Sequence, residues 1–202
     1  MPGKQERSEN RRQRVLDAAL DVFTSAGYGD TLVDEIARRS DTSKGGVYFH
    51  FPSKQALFLS LLDEASDLLL SRVERAMAAE TDPLARGAVA LRAVLQTFGG
   101  HRAVARLFLV EALGAGHQFN ARMAALHQRF AALIKQQLDD AVAQGLIAPL
   151  DTDVASMAWF GAVNQVVMRW VLTGQPERLE DAYPALRRLL LYGVGLPAGE
   201  KV

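Results

Sequence analysis

The chain has 202 residues and a mass of 22.0 kDa, room for one large domain or two small ones with a sizeable core. Lys plus Arg and Asp plus Glu number 23 each, so bulk charge points to no polyanionic partner, and the absence of cysteine excludes disulfide frameworks, thiolate zinc sites and a cysteine nucleophile. With 49% apolar residues, a longest uncharged apolar run of 15 residues (Val154 to Met168) and no apolar stretch behind the basic N-terminus, the composition predicts a globular cytoplasmic protein with no membrane span or secretory signal.

The predicted elements are all helices. Seven prolines fall mostly between long segments of good helix formers, no segment alternates apolar and polar residues, and no Asn-Gly or Asp-Gly turn occurs. After a flexible arm over residues 1–9, the first helix runs from near Ser8 to Gly27, a residue suited to a left-handed cap, with Leu16, Ala19, Leu20 and Phe23 as its apolar stripe. Thr31 is placed to cap a short second helix, with Asp34 three residues on in a capping-box arrangement. Ser40-Asp41-Thr42 then breaks the chain before a third helix over Ser43 to Phe49, and Ser53 caps a long fourth from Lys54 to about Met77.

Beyond the linker Glu80 to Pro83, helices are expected to Gly99, over Arg102 to Leu113, from Asn120 to Gln144 with a stop at Gly145, from an Asp151 cap to Leu172 with a stop at Gly174, and from Glu180 to Val194. The whole is an all-α chain of about nine helices. A three-helix domain with a helix-turn-helix occupies residues 1–53, and a larger helical domain fills 54–202.

The third helix, SKGGVYFHF, is odd for one that merely packs, because Gly45 and Gly46 each weaken it by about 1 kcal/mol relative to alanine. Such a cost suits close approach of another molecule, and a DNA backbone or base edge is one candidate. Thr42 and Ser43 sit where a helix N-terminus would enter the major groove, while Tyr48, His50 and Lys54 carry donors for phosphates.

At these residues the chain resembles the TetR (tetracycline-repressor-like) family of bacterial transcription regulators. The matching elements are Arg14, Ala18, Ala19, Phe23 and Gly27-Tyr28, then Thr31, Asp34 and Ile36-Ala37, and above all Ser43-Lys44-Gly45, Tyr48, His50-Phe51, Ser53-Lys54 and Leu57. The resemblance implies DNA contacts from Thr31, Thr42, Ser43, Lys44, Gly45, Gly46, Tyr48, His50 and Lys54. It also implies a homodimer through the last two long helices, and release of a palindromic operator by a small-molecule effector. Asp41 stands where the family has a turn glycine, and Gly46 where it has a small side chain, which bears on which bases are read. Charge adds little: residues 1–55 hold nine basic against eight acidic side chains.

In the second half, the helix from Asp151 to Leu172 is apolar nearly all round and needs cover on both sides, from its own core and from a partner subunit or a second layer of the same chain. Candidate effector contacts are Phe98, Phe108, Phe130, Trp159, Phe160 and Met168 for an apolar body. Asn164 and Glu111 are buried polar groups, Glu111 being equally well explained by an arginine partner. Arg102, Arg106 or Arg129 could receive an anionic head, and residues 122–170 resemble the acyl-CoA-responsive branch of the family. His101, His117 and His127 have no metal-ligand spacing, and no catalytic constellation or cofactor motif stands out. Two rival readings remain: a helical small-molecule-binding protein or enzyme whose N-terminal helices do not read DNA, and a sequence-indifferent DNA-coating protein.

Overall fold

The computed structural model describes residues 4–112 and 117–193, and every regular element among them is helical. Among the described residues nine α-helices follow in order: α1 (Lys4–Asp30), α2 (Val33–Arg39), α3 (Lys44–His50), α4 (Lys54–Met77), α5 (Pro83–Gly100), α6 (Arg102–Arg106), α7 (His117–Ala143), α8 (Thr152–Thr173) and α9 (Tyr183–Gly193). The expected loop at Gly114 to Gly116, and Val194, lie outside the described residues.

Several boundaries are set by the residues that foretold them. Asp151 caps α8, accepting from Val154 N at 3.0 Å, and Gly174 ends that helix in the left-handed conformation at φ 72°. Pro83 opens α5 behind an Asp82 cap, and the Ser53 hydroxyl accepts from Ala56 N at 3.0 Å at the start of α4. Asp41 takes the left-handed conformation (φ 51°) in the turn before α3, as a short polar side chain allows.

Other expectations need correction. Residues 4–9, expected as a flexible arm, form the first turns of α1, where Glu6 complements the helix dipole. Gly27 breaks α1 not as a left-handed cap but at φ 82°, ψ 159°, a region essentially confined to glycine. Thr31 does not cap α2: Leu32 occupies that position without a side-chain bond, and the buried Thr31 hydroxyl donates back to the Gly27 carbonyl at 2.7 Å. The helix expected over Arg102 to Leu113 changes pitch after Arg106, where Leu107–Glu111 forms a π-helical turn. The last helix begins with a 3-10 turn, Leu179–Ala182, because Pro184 lacks an N–H and fits only the first turn of α9.

The chain packs as two compact units. One comprises the described residues of Met1–Asp67 together with Arg106–Asn120, the other those of Leu68–Ala105 and Ala121–Val202. In the first, Leu16, Ala19 and Phe23 of α1, Ile36 of α2, Val47 of α3 and Leu57, Phe58 and Leu62 of α4 are all fully buried, and Phe23 packs edge-on to Phe58 at 5.0 Å. Each large apolar side chain buried so contributes about 1.5–3 kcal/mol. Phe119, from the first turn of α7, joins this core edge-on to Tyr28 at 4.9 Å and to Phe58 at 5.1 Å. In the second unit one buried cluster is formed by Leu138, Ala141 and Ile147, against which Leu84, Ile134 and Trp159 pack.

Candidate nucleic-acid interface

The third helix is rooted by its own sequence. Val47 and Phe51, four residues apart and both buried, turn inward, while the Ser43 hydroxyl caps the helix by accepting from Gly46 N at 3.1 Å. What remains faces solvent: Ser43, Lys44, Gly45 and Tyr48 are exposed, and Thr42, Gly46 and His50 half-exposed. The two glycines differ. A side chain at Gly45 would meet nothing within 4 Å, whereas a Cβ at Gly46 would lie 2.8 Å from Thr42 Cγ2, so a larger residue there would have to displace the Thr42 side chain.

Sequence reading passed over Phe49. Its ring is 81% exposed at the end of α3, edge-on to His50 at 5.1 Å, and Leu32, opening α2, is 68% exposed. Phe51, two residues on, is buried. The signal was available, since the inward pair Val47 and Phe51 puts Phe49 on the opposite side of a helix.

Local charges are paired among themselves. Glu35 accepts from Arg38 at 2.7 and 2.9 Å and from Arg39 at 2.8 Å, and these guanidinium bonds hold its carboxyl down at a pKa of about 2. Lys44 donates to Asp34 at 2.8 Å, which raises the lysine pKa. Two other expected DNA contacts are engaged elsewhere. Thr31 is buried, and the Lys54 ammonium is bound to main-chain carbonyls, that of Thr31 among them at 3.1 Å.

The expected effector residues fall in both units. In the first, Phe108 and Glu111 are buried, and Glu111 is bound by Arg106 at 3.1 Å. Residues five apart do not align on an α-helix; the wider π turn between them brings these two together. In the second unit, Phe130 stacks on Phe160 with centroids 6.4 Å apart, and His127 lies 5.0 Å from the same ring, its pKa lowered by burial. Phe98 is buried, while Trp159, Asn164 and Met168 are half-buried. Arg102 is used differently from expectation. It donates to the carbonyls of Trp170 and Val171 at 3.1 and 2.8 Å and stacks over the Trp170 ring, closing the C-terminus of α8. Two polar atoms the sequence did not flag, Arg86 Nε and Gln137 Oε1, are buried with no hydrogen-bond partner among the described residues.

Comparison with known proteins decides the family. Residues 15–61 match the family of bacterial regulatory proteins of the tetR type, and residues 80–186 match the tetracyclin repressor-like C-terminal domain. The chain belongs to the TetR family. Within it, the HTH-type transcriptional regulator RutR of Escherichia coli is 29% identical over 154 residues, 74% of this chain and 70% of that protein. FadR of Bacillus subtilis, solved in complex with stearoyl-CoA, superposes with a TM-score of 0.84 at 21% identity over 90% of this chain and 98% of the other. FadR of Bacillus halodurans superposes at 0.86 with 20% identity, covering 98% and 100%.

As a TetR-family member the protein is a transcriptional regulator whose DNA binding responds to a ligand. The rival in which the N-terminal helices merely pack is not favoured, since the regulator match covers those helices. No described helix is long and apolar enough to cross a membrane.

Proposed function

We propose that this regulator is a cytoplasmic homodimeric repressor, without enzymatic activity, that holds a palindromic operator through α3 and releases it when an amphipathic acyl compound binds the second unit. The observation that carries this reading is the outward face of α3, where polar and aromatic side chains stand exposed on a helix rooted by Val47 and Phe51. Thr42, Ser43, Lys44, Gly45, Gly46, Tyr48 and His50 make the contacts, joined by Phe49, whose ring offers apolar surface to a thymine methyl or a deoxyribose. Lys44 exchanges Asp34 for a phosphate at little cost, because an exposed ion pair contributes only about 0–1 kcal/mol. Thr31, being buried, contributes through its backbone alone.

Support for a second copy comes from α8, whose apolar face at Val154, Met157 and Leu172 lacks cover among the described residues. Support for the effector class comes from the half-buried aromatic set of the second unit, Phe130, Trp159 and Phe160, with Phe98, Met168 and Asn164. The unpartnered Gln137 amide oxygen and Arg86 Nε supply polar groups for a ligand to satisfy. The stearoyl-CoA bound by the similar Bacillus subtilis protein suggests the chemistry. A ligand of this kind acts only through a difference in affinity for the DNA-bound and released states.

Stearoyl-CoA titrated into the protein should raise its melting midpoint by several degrees, as about 2.7 kcal/mol of linkage at a hundredfold excess over Kd implies. It should also displace bound operator. A series of medium- and long-chain acyl-CoAs none of which moves the midpoint would overturn the effector class.

A further inference from the structure

The opening turns of α1 sort their charges by face. Arg7, Arg11 and Arg14 follow one another at four and three residues, so they share one side of the helix, and all three are exposed. None has a hydrogen-bond or ion-pair partner among the described residues, although acids stand close by. Glu9 accepts from Arg12 at 3.4 Å and Asp17 from Gln13 at 3.1 Å. Like charges at these spacings repel, so the stripe works against the helix that carries it. Arg12, on the inward side of the same turns, is engaged within the fold. It donates to Glu64 of α4 at 2.6 Å and lies 5.4 Å from the centroid of the Phe51 ring, and Phe51 caps the end of α3. The part of α1 that bears the stripe therefore passes beside the end of α3, within one compact unit.

We infer that Arg7, Arg11 and Arg14 form a second DNA contact of this regulator, a cationic track for the phosphate backbone outside the helix-turn-helix. From Arg7 to Arg14 a helix rises about 10 Å, an axial length over which one strand of duplex DNA presents about three phosphates. Guanidinium groups bind phosphate oxygens in pairs of hydrogen bonds, and three free ones match that charge. In a chain whose charges balance overall, 23 against 23, free cations gathered on one face beside α3 are the local excess that attracts a polyanion. Such contacts strengthen binding without reading bases. The track rests on the DNA-binding reading, in which α3 supplies the sequence preference.

Two triple variants test it. R7Q/R11Q/R14Q removes the charges and keeps good helix formers, and R7K/R11K/R14K keeps the charges. Each is compared with wild type for its melting midpoint, for binding to phosphatidylserine vesicles and, across a salt series, for binding to two duplexes. One is the duplex that the wild-type protein selects from a random pool, the other a random sequence. The track predicts that the glutamine variant binds both duplexes at least about tenfold more weakly, with a slope of log K against log salt shallower by about 2.7 per bound subunit. Its preference between the duplexes and its melting midpoint stay at the wild-type values, and the lysine variant keeps the wild-type slope. A glutamine variant with the wild-type slope overturns the proposal and leaves the stripe a solvated face. The same slope together with lost vesicle binding reassigns the stripe to an anionic membrane surface. A midpoint several degrees lower in the glutamine variant would make the stripe structural and also overturn the track. If the wild-type protein selects no duplex, the sequence-reading role of α3 fails, and the slope on random duplex alone decides the track. No binding to any duplex overturns both.

Discussion

Gly27 answers a demand of the backbone. Its φ of 82° and ψ of 159° turn the chain out of α1 in a conformation essentially confined to glycine, while a Cβ there would make only ordinary contact with Glu111 Oε2, at 3.4 Å. Gly27→Ala is therefore expected to destabilise the N-terminal unit by about 1–3 kcal/mol, read as a lower urea midpoint. A midpoint equal to wild type would show that the backbone relaxes without cost. The sequence identified Gly27 as the break but not its form, because a glycine at a helix end is compatible with either positive-φ region. The partners of Lys54 and Arg102 were hidden for a different reason. Their acceptors are main-chain carbonyls 23–26 and 68–69 residues away, and every residue type carries one.

At the scale of elements, legibility followed the caps. Helices bounded by Asp151 and Gly174, or by Pro83, were placed to within a residue or two because each boundary has a side chain with one local use. The π turn was not legible: Leu107-Phe108-Leu109-Val110 is equally apolar at either pitch, and only tertiary packing on α1 selects between them. The all-round apolar character of α8 was legible, and its outcome is specific. Ser156, Val167, Trp170 and Val171 are buried, while Val154, Met157 and Leu172 are 57%, 60% and 60% exposed. Ala158, Gly161 and Gln165 are exposed between them on the same face, at helical spacing. In the proposed dimer a second copy of α8 covers this face. Met157→Glu places an unpaired charge in that contact twice over, and the loss of about 3–5 kcal/mol per buried unpaired charge should convert dimer to monomer in sedimentation at micromolar concentration. A variant that sediments as wild type would place the dimer contact elsewhere.

At the scale of the whole chain, the two units alternate along the sequence. The described residues of 106–120 belong, from the middle of the sequence, to the N-terminal unit, and Phe119 is fully buried there beside Tyr28 and Phe58. A linear reading sees Phe119 only as one apolar residue in a helix, since which core receives it depends on contacts some 60 to 90 positions away. The family was legible because its motif is local. Inward Val47 and Phe51, the Ser43 cap and the left-handed Asp41 turn lie within about a dozen residues, and each is set by neighbours in sequence. The effector site was not, because its candidates come from helices far apart in the chain and several of them are engaged with one another. Arg106 holds Glu111, and Arg102 holds the end of α8.

Sequence-specific binding of duplex DNA through α3 is measured by a gel shift at moderate salt, with excess competitor, on the DNA flanking the protein's own gene and on duplexes selected from a random pool. Retention on a discrete palindrome, at least about a thousandfold tighter than on random sequence, is the expected result, as specific regulators show. Equal retention of random and selected duplexes, or none, would contradict it.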